Sequence, residues 1–97
     1  MKKNILQGYP KPKTSTQEVL LHLILFKTAS IIDFPTLSGF RTRISQLILD
    51  HGLFLEREFI HGFNKFGNTT KYAKHMLPDN QKEKAIEIYY KINNLTK

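Results

Sequence analysis

No cysteine occurs among the 97 residues, so the chain can form no disulfide, no thiolate metal site and no cysteine nucleophile. Long apolar runs are missing too. The longest, Val19 to Phe26, is interrupted by His22 and falls far short of the roughly 20 residues that cross a bilayer, so no membrane partner is expected. Carboxylates are scarce, eight against fifteen Lys and Arg, which leaves a formal charge of +7 and a pI near 9.8. That balance excludes a protein that imitates DNA and favours a polyanionic partner, bound in a salt-sensitive way. The opening MKKNILQGYPKPK lacks both the continuous apolar segment and the small-residue cleavage site of a secretion signal, and a cytoplasmic protein is expected.

Catalytic and metal-binding patterns are equally thin. His22, His51, His61 and His75 make no close-spaced ligand pair, and neither a Gly-rich phosphate loop nor a nucleophile motif is present. Glu56-Arg57-Glu58 on a strand would set both glutamates on one face, where they could bind a metal in principle, but nothing nearby has ligand spacing. No enzyme activity, cofactor or metal is expected.

What remains is an ordinary globular composition, 40% hydrophobic and 24% charged, at the size of one small domain with one modest core. Residues 1–14 combine lysines with Gly8, Pro10 and Pro12 and read as a flexible basic arm. Lys2, Lys3, Lys11 and Lys13 could follow a phosphate backbone there, with Tyr9 available for stacking. Ser15 followed by Glu18 forms a capping-box pattern directly before the apolar run, so a mostly buried first helix starts at Ser15. Asp33 as N-cap with Pro35 in the first turn predicts a short second helix ending near Leu37.

The stretch 38–51 is the centre of the reading. Ser38 caps a helix that carries Phe40, Ile44, Leu47 and Ile48 on one side and Arg41, Thr42, Ser45 and Gln46 on the other. Two arginines, hydroxyls and a carboxamide suit phosphates and base edges in a major groove. Leu49 falls on the exposed face, where it touches either a thymine methyl or a protein surface. Gly52 closes the helix. LFLEREFI and TTKYAKHML then read as two strands around the Gly- and Asn-rich turn HGFNKFGNT, a basic hairpin over 61–75 with Lys65 at its tip and Lys71 and Lys74 on its return strand. Phe63 and Phe66 are expected to pack at the base of the hairpin. Asp79 caps a last helix in which Ala85, Ile88, Tyr89 and Ile92 form an amphipathic stripe, used either within the domain or to join a homodimer.

Helix, short helix, turn, helix and basic hairpin is the order of a winged helix. On Thr16-Gln17, Arg43-Ile44 with Leu47, His51-Gly52, Asn64-Lys65-Phe66-Gly67 and Lys71-Tyr72-Ala73 with Leu77, the chain resembles the small winged helix-turn-helix domains common in phage and prophage genomes. The second helix is shorter than in that family, with Pro35 where helical residues are usual. The resemblance implies an α+β, mainly helical fold: three helices and a two-stranded wing over 15–78, and an additional C-terminal helix over 79–97. It also implies a DNA-binding domain of mobile-element origin, working in the cytoplasm of a bacterial host as a transcription regulator or recombination accessory. Its double-stranded DNA contacts would be Arg41, Thr42, Arg43, Ser45, Gln46, Lys65, Lys71 and Lys74. The alternative is a winged helix that binds a host or phage protein complex.

Overall fold

Thr14 is extended (φ −138°, ψ 165°) and its side-chain oxygen accepts from the Gln17 N–H at 3.2 Å, which starts helix α1, Ser15–Phe26. The cap therefore lies one residue before the predicted Ser15. The chain contains two overlapping capping patterns, and Thr14-x-x-Gln17 wins because Gln17 reaches back to accept from the Lys13 N–H at 2.8 Å. The computed structural model describes residues 8–34, 37, 39–63, 66, 67 and 69–95; the expectations for Lys2, Lys3, Pro35, Ser38 and Lys65, and for the Phe63 side chain, fall outside what is described.

Val19, Leu20, Leu21, Leu23 and Ile24 of α1 are all buried, so this helix forms the centre of the core on several of its sides. It ends on Lys27, a non-glycine residue in the left-handed region (φ 69°), whose N–H returns to the Leu23 carbonyl at 2.8 Å. His22 is satisfied locally: its Nδ1 hydrogen-bonds the Thr28 carbonyl at 2.8 Å.

The next segment departs from expectation. Thr28–Ser30 is a short strand, β1, followed by a 3-10 turn, Ile31–Asp33; the short helix expected between Asp33 and Leu37 runs through residues 35 and 36, outside what is described. Asp33 does not cap forward. Its Oδ2 accepts backward from Ser30, from the backbone N–H at 2.9 Å and the hydroxyl at 3.3 Å, which fixes the turn directly behind β1.

Helix α2, Phe40–Leu49, opens from Gly39 at φ 76°, a backbone angle open to glycine at little cost. It closes through an αL cap at Gly52 (φ 70°): the Gly52 N–H reaches Ile48 O at 3.1 Å, and the Leu53 N–H then reaches Leu47 O at 3.0 Å. Leu53 is thereby turned into the core at 1% exposure, so strand β2 begins only at Glu56 and runs to Phe63, later at both ends than predicted. Strand β3 spans Thr69–Met76.

The sheet is antiparallel with order β1-β3-β2, three strands where two were expected. Ala29 pairs with His75 in one ladder, and Phe59 pairs with Ala73 in the other. Ala29 and His75, both buried, bring the inner face of the sheet onto the helices.

Pro78 precedes a 3-10 turn, Asp79–Gln81, and helix α3 follows as Lys82–Leu95. Asp79 starts that turn instead of capping α3, and its carboxylate meets Lys27 Nζ at 3.3 Å in an exposed pair that adds little stability. Ala85, Ile88 and Tyr89 are buried with Ile92 packed beside them, so the apolar stripe of α3 is used inside the domain, against α1. Of the two uses open to this stripe, packing within the domain is the one seen, and a homodimer through α3 would require a different face.

The basic arm is docked from Gly8 onward. The Tyr89 hydroxyl donates to the Pro10 carbonyl, and Asn93 Nδ2 donates to the Lys11 carbonyl at 2.9 Å. Lys13 Nζ donates to the Asn93 carbonyl at 3.1 Å, and Tyr9 lies edge-on to Tyr89 with ring centroids 6.3 Å apart. Tyr9 thus packs on α3 and is not held out for stacking. The described fold is a small α+β domain with three α-helices and a three-stranded antiparallel sheet, and no described helix is long and apolar enough to cross a membrane.

Candidate nucleic-acid interface

Helix periodicity sorts α2 into two sides. Phe40, Ile44 and Leu47 enter the core, while Arg41, Thr42, Ser45 and Leu49 are exposed. Ile48 lies at the boundary, 38% exposed, and Leu49 exposes 80% of its surface.

Two predicted contact residues behave differently from the rest. Gln46 turns toward α1: its Oε1 accepts from the Thr16 hydroxyl at 2.6 Å and from Arg43 Nη1 at 3.1 Å. The oxygen that would accept from an adenine amino group is therefore occupied within the protein, and a two-point contact to adenine would break both bonds. Arg43 is half-buried beside it, its Nε enclosed and without a hydrogen-bond partner among protein atoms. Gln46 thereby ties α2 to α1, and Arg43 holds its carboxamide from within α2.

Strand alternation sorts the sheet just as cleanly. Arg57, Phe59 and His61 pair with His75, Ala73 and Lys71 and share one face. Glu56 and Glu58 pair with Met76 and Lys74 on the other. Lys71 and Lys74 therefore lie on opposite faces: Lys71 sits 4.5 Å from the centre of the Phe59 ring, and Lys74 is the cross-strand neighbour of Glu58. Arg57 also lies over Phe59, at 5.2 Å, so this ring gathers two cations on one face of the sheet.

Between α2 and that face runs a cleft of about 410 Å³, with Arg41, Ser45 and Ile48 on the helix side and Arg57, Phe59 and His75 on the sheet side. Among the described residues no carboxylate lines it. His75, in contact with Phe40 at a centroid distance of 6.0 Å, is held below its ordinary pKa of 6.5, first by burial and then by the positive charge of Arg57.

Three predicted contacts, Arg41, Ser45 and Lys71, thus border one exposed surface; Thr42 is exposed on α2 but outside the cleft lining, and Gln46, Arg43 and Lys74 turn elsewhere. Arg57 is the residue that the sequence reading missed. It stood between two glutamates and read as their neighbour; alternation already separated it from them, but the face that meets α2 follows only from the pairing register. Phe66 exposes 76% of its surface beside Gly67 (φ 83°), so it does not close a core at the hairpin base as expected. Among the described residues, no group of three His, Asp or Glu side chains could hold a metal ion.

Comparisons of the chain with protein-family models, with curated proteins and with solved structures find no match.

Proposed function

We propose that the chain is a winged helix-turn-helix domain that binds duplex DNA, with α2 presented to the major groove and the β2–β3 hairpin as the wing. What supports the winged-helix reading is α2 followed directly by the β2–β3 hairpin, and β1 on the outer side of β3 adds a third strand at the root of the wing. The observation that carries the DNA reading is the separation of charge across the sheet. Arg57 and Lys71 share the face that borders α2 and Arg41, while Glu56 and Glu58 face away. Segregated cations beside an exposed helix are the electrostatic footprint of phosphate contact. Arg41 and Ser45 would meet base edges or phosphates, and Arg57 and Lys71 the flanking backbone. A role in a phage or other mobile element, as transcription regulator or recombination accessory, rests on the resemblance of the wing and helix motifs.

The test is fluorescence anisotropy with random-sequence duplex DNA at 50 and 200 mM salt, for the wild type, Arg41→Ala and Arg57→Ala. Tight, salt-dependent binding is expected, with each variant weaker and its salt slope shallower by about one. Absence of binding at the lower salt would sink the proposal.

One observation favours a second reading. Leu49, with Ile48 beside it, forms an exposed apolar spot at the end of α2 that phosphate contact does not need. A protein partner would use it as an anchor. If Leu49→Lys leaves DNA affinity intact but removes a co-purifying partner, the surface serves protein recognition.

A further inference from the structure

The cleft between α2 and the sheet has a property that contact with a duplex leaves unused. Its floor is apolar, built from Ile44 and Ile48 of α2, Ala73 and Phe59 of the sheet, and Ile31 of the 3-10 turn. A hydrated phosphodiester gains nothing from such a floor. The cleft is also cationic, with Arg41 and Arg57 in its lining; among the described residues no carboxylate in the lining neutralises them and neither arginine is ion-paired. Lys71 and Arg57 over Phe59 add positive potential on the sheet side. A volume of about 410 Å³ falls in the range of cavities that enclose small molecules.

An anion suits the guanidiniums, since a carboxylate matches their planar fork and binds more strongly where water is partly excluded. An apolar body suits the floor, where it removes the exposed surfaces of Ile48 and Phe59 from water. We propose that this cleft is a binding site for a small carboxylate with an apolar body, its carboxylate between Arg41 and Arg57 and its body on Ile48, Phe59 and Ala73. Arg41 also belongs to the DNA-facing surface, so ligand and DNA exclude one another; this last clause rests on the DNA reading, whereas the site itself does not.

The probe is 1-naphthaleneacetate, titrated into the full chain without DNA and followed by amide chemical shifts in two-dimensional NMR. Saturable one-to-one binding is expected, with the largest shifts at Arg41, Ser45, Ile48 and Ala73. The uncharged 1-naphthaleneacetamide should bind at least about tenfold more weakly to the unaltered protein, a comparison that needs no variant to fold. Arg57→Gln should weaken the acid by a similar factor and leave the amide unchanged. Equal affinity for acid and amide, shifts centred elsewhere, or no saturation would each overturn the site. DNA anisotropy is then repeated with saturating ligand, and a several-fold loss of DNA affinity is expected. If the ligand binds but DNA never does, the site stands and the DNA reading falls; if DNA binds and the ligand does not, the reverse holds.

Discussion

Asn93 of α3 donates its side-chain amide to Gln17 Oε1 of α1 at 2.9 Å, and both residues are almost fully enclosed, at 4% and 1% exposure. Gln17 completes the arrangement by accepting from the Lys13 N–H and donating to the Ile92 carbonyl at 3.3 Å. The arm and the start of α1 are thereby joined to α3, some seventy-six residues away, by one buried polar cluster. Such a cluster is costly to break in part, because the remaining groups stay buried without partners.

Asn93→Ala and Gln17→Ala should each lower stability by about 1–3 kcal/mol, the cost of stranding buried polar partners. The double variant should lose less than the sum, because the two side chains share a bond. Urea denaturation of the four proteins measures this directly; strict additivity would show that the contact is energetically idle.

The depressed pKa of His75 makes stability depend on pH. The folded protein holds the imidazole neutral below 6.5, where the unfolded chain protonates it, so the unfolded state binds more protons and folding weakens as pH falls. Stability from this residue is fully present above 6.5 and declines as the pH drops below it. The difference in melting temperature between wild type and His75→Gln should shrink over the same interval. A difference that stays constant from pH 7.5 to 5 would count against a buried neutral imidazole.

Burial, with Tyr90 as a second cause, pushes the Tyr89 hydroxyl up to about 12, above its ordinary 10.0. The folded state keeps a proton that the unfolded state releases, so this residue's contribution is intact below pH 10 and is lost as pH rises toward 12. Tyr89→Phe should remove the late step from the alkaline absorbance titration. It should also cost about 0.5–1.5 kcal/mol at neutral pH, because the Pro10 carbonyl loses its donor.

Lys27 pays for a left-handed backbone that glycine adopts freely. Lys27→Gly should therefore raise stability by up to about 1 kcal/mol, despite the lost contact to Asp79, which is exposed at both ends. Thermal melts of the variant and of Asp79→Asn separate the two effects; a lower melting temperature for Lys27→Gly would mean that the ion pair outweighs the backbone.

The helices were legible because their signals are local. Phe40, Ile44 and Leu47 recur at helical spacing, Gly52 marks the end of α2, and Ala85, Ile88 and Tyr89 mark the buried side of α3. Strand β1 was not legible: three residues carry no periodicity, and Thr28–Ser30 becomes a strand only because β3 offers a partner. Docking of residues 8–14 was hidden for the same reason, since Asn93 and Tyr89 meet that segment across some eighty positions. The α2 side of the site could be read from spacing. Arg57 could not, and Gln46 misled, because its hydrogen bond to Thr16 depends on how α1 crosses α2.

Strand β1 covers β3 only from Lys74 to Met76, while β2 runs along it from Thr69 to Met76. The sheet is therefore three strands wide where it joins the helices and two strands wide from Phe59 and Ala73 outward. Mechanically this is a cantilever. Force applied to the outer ribbon is carried inward along β3, reaches β1 through the Ala29–His75 pair, and ends at Lys27, where the chain leaves α1. In a hairpin anchored in this way Arg57 sits in the three-stranded root, opposite the His75–Ala29 pair, while Phe59 and the residues beyond it are held by the β2–β3 pairing alone.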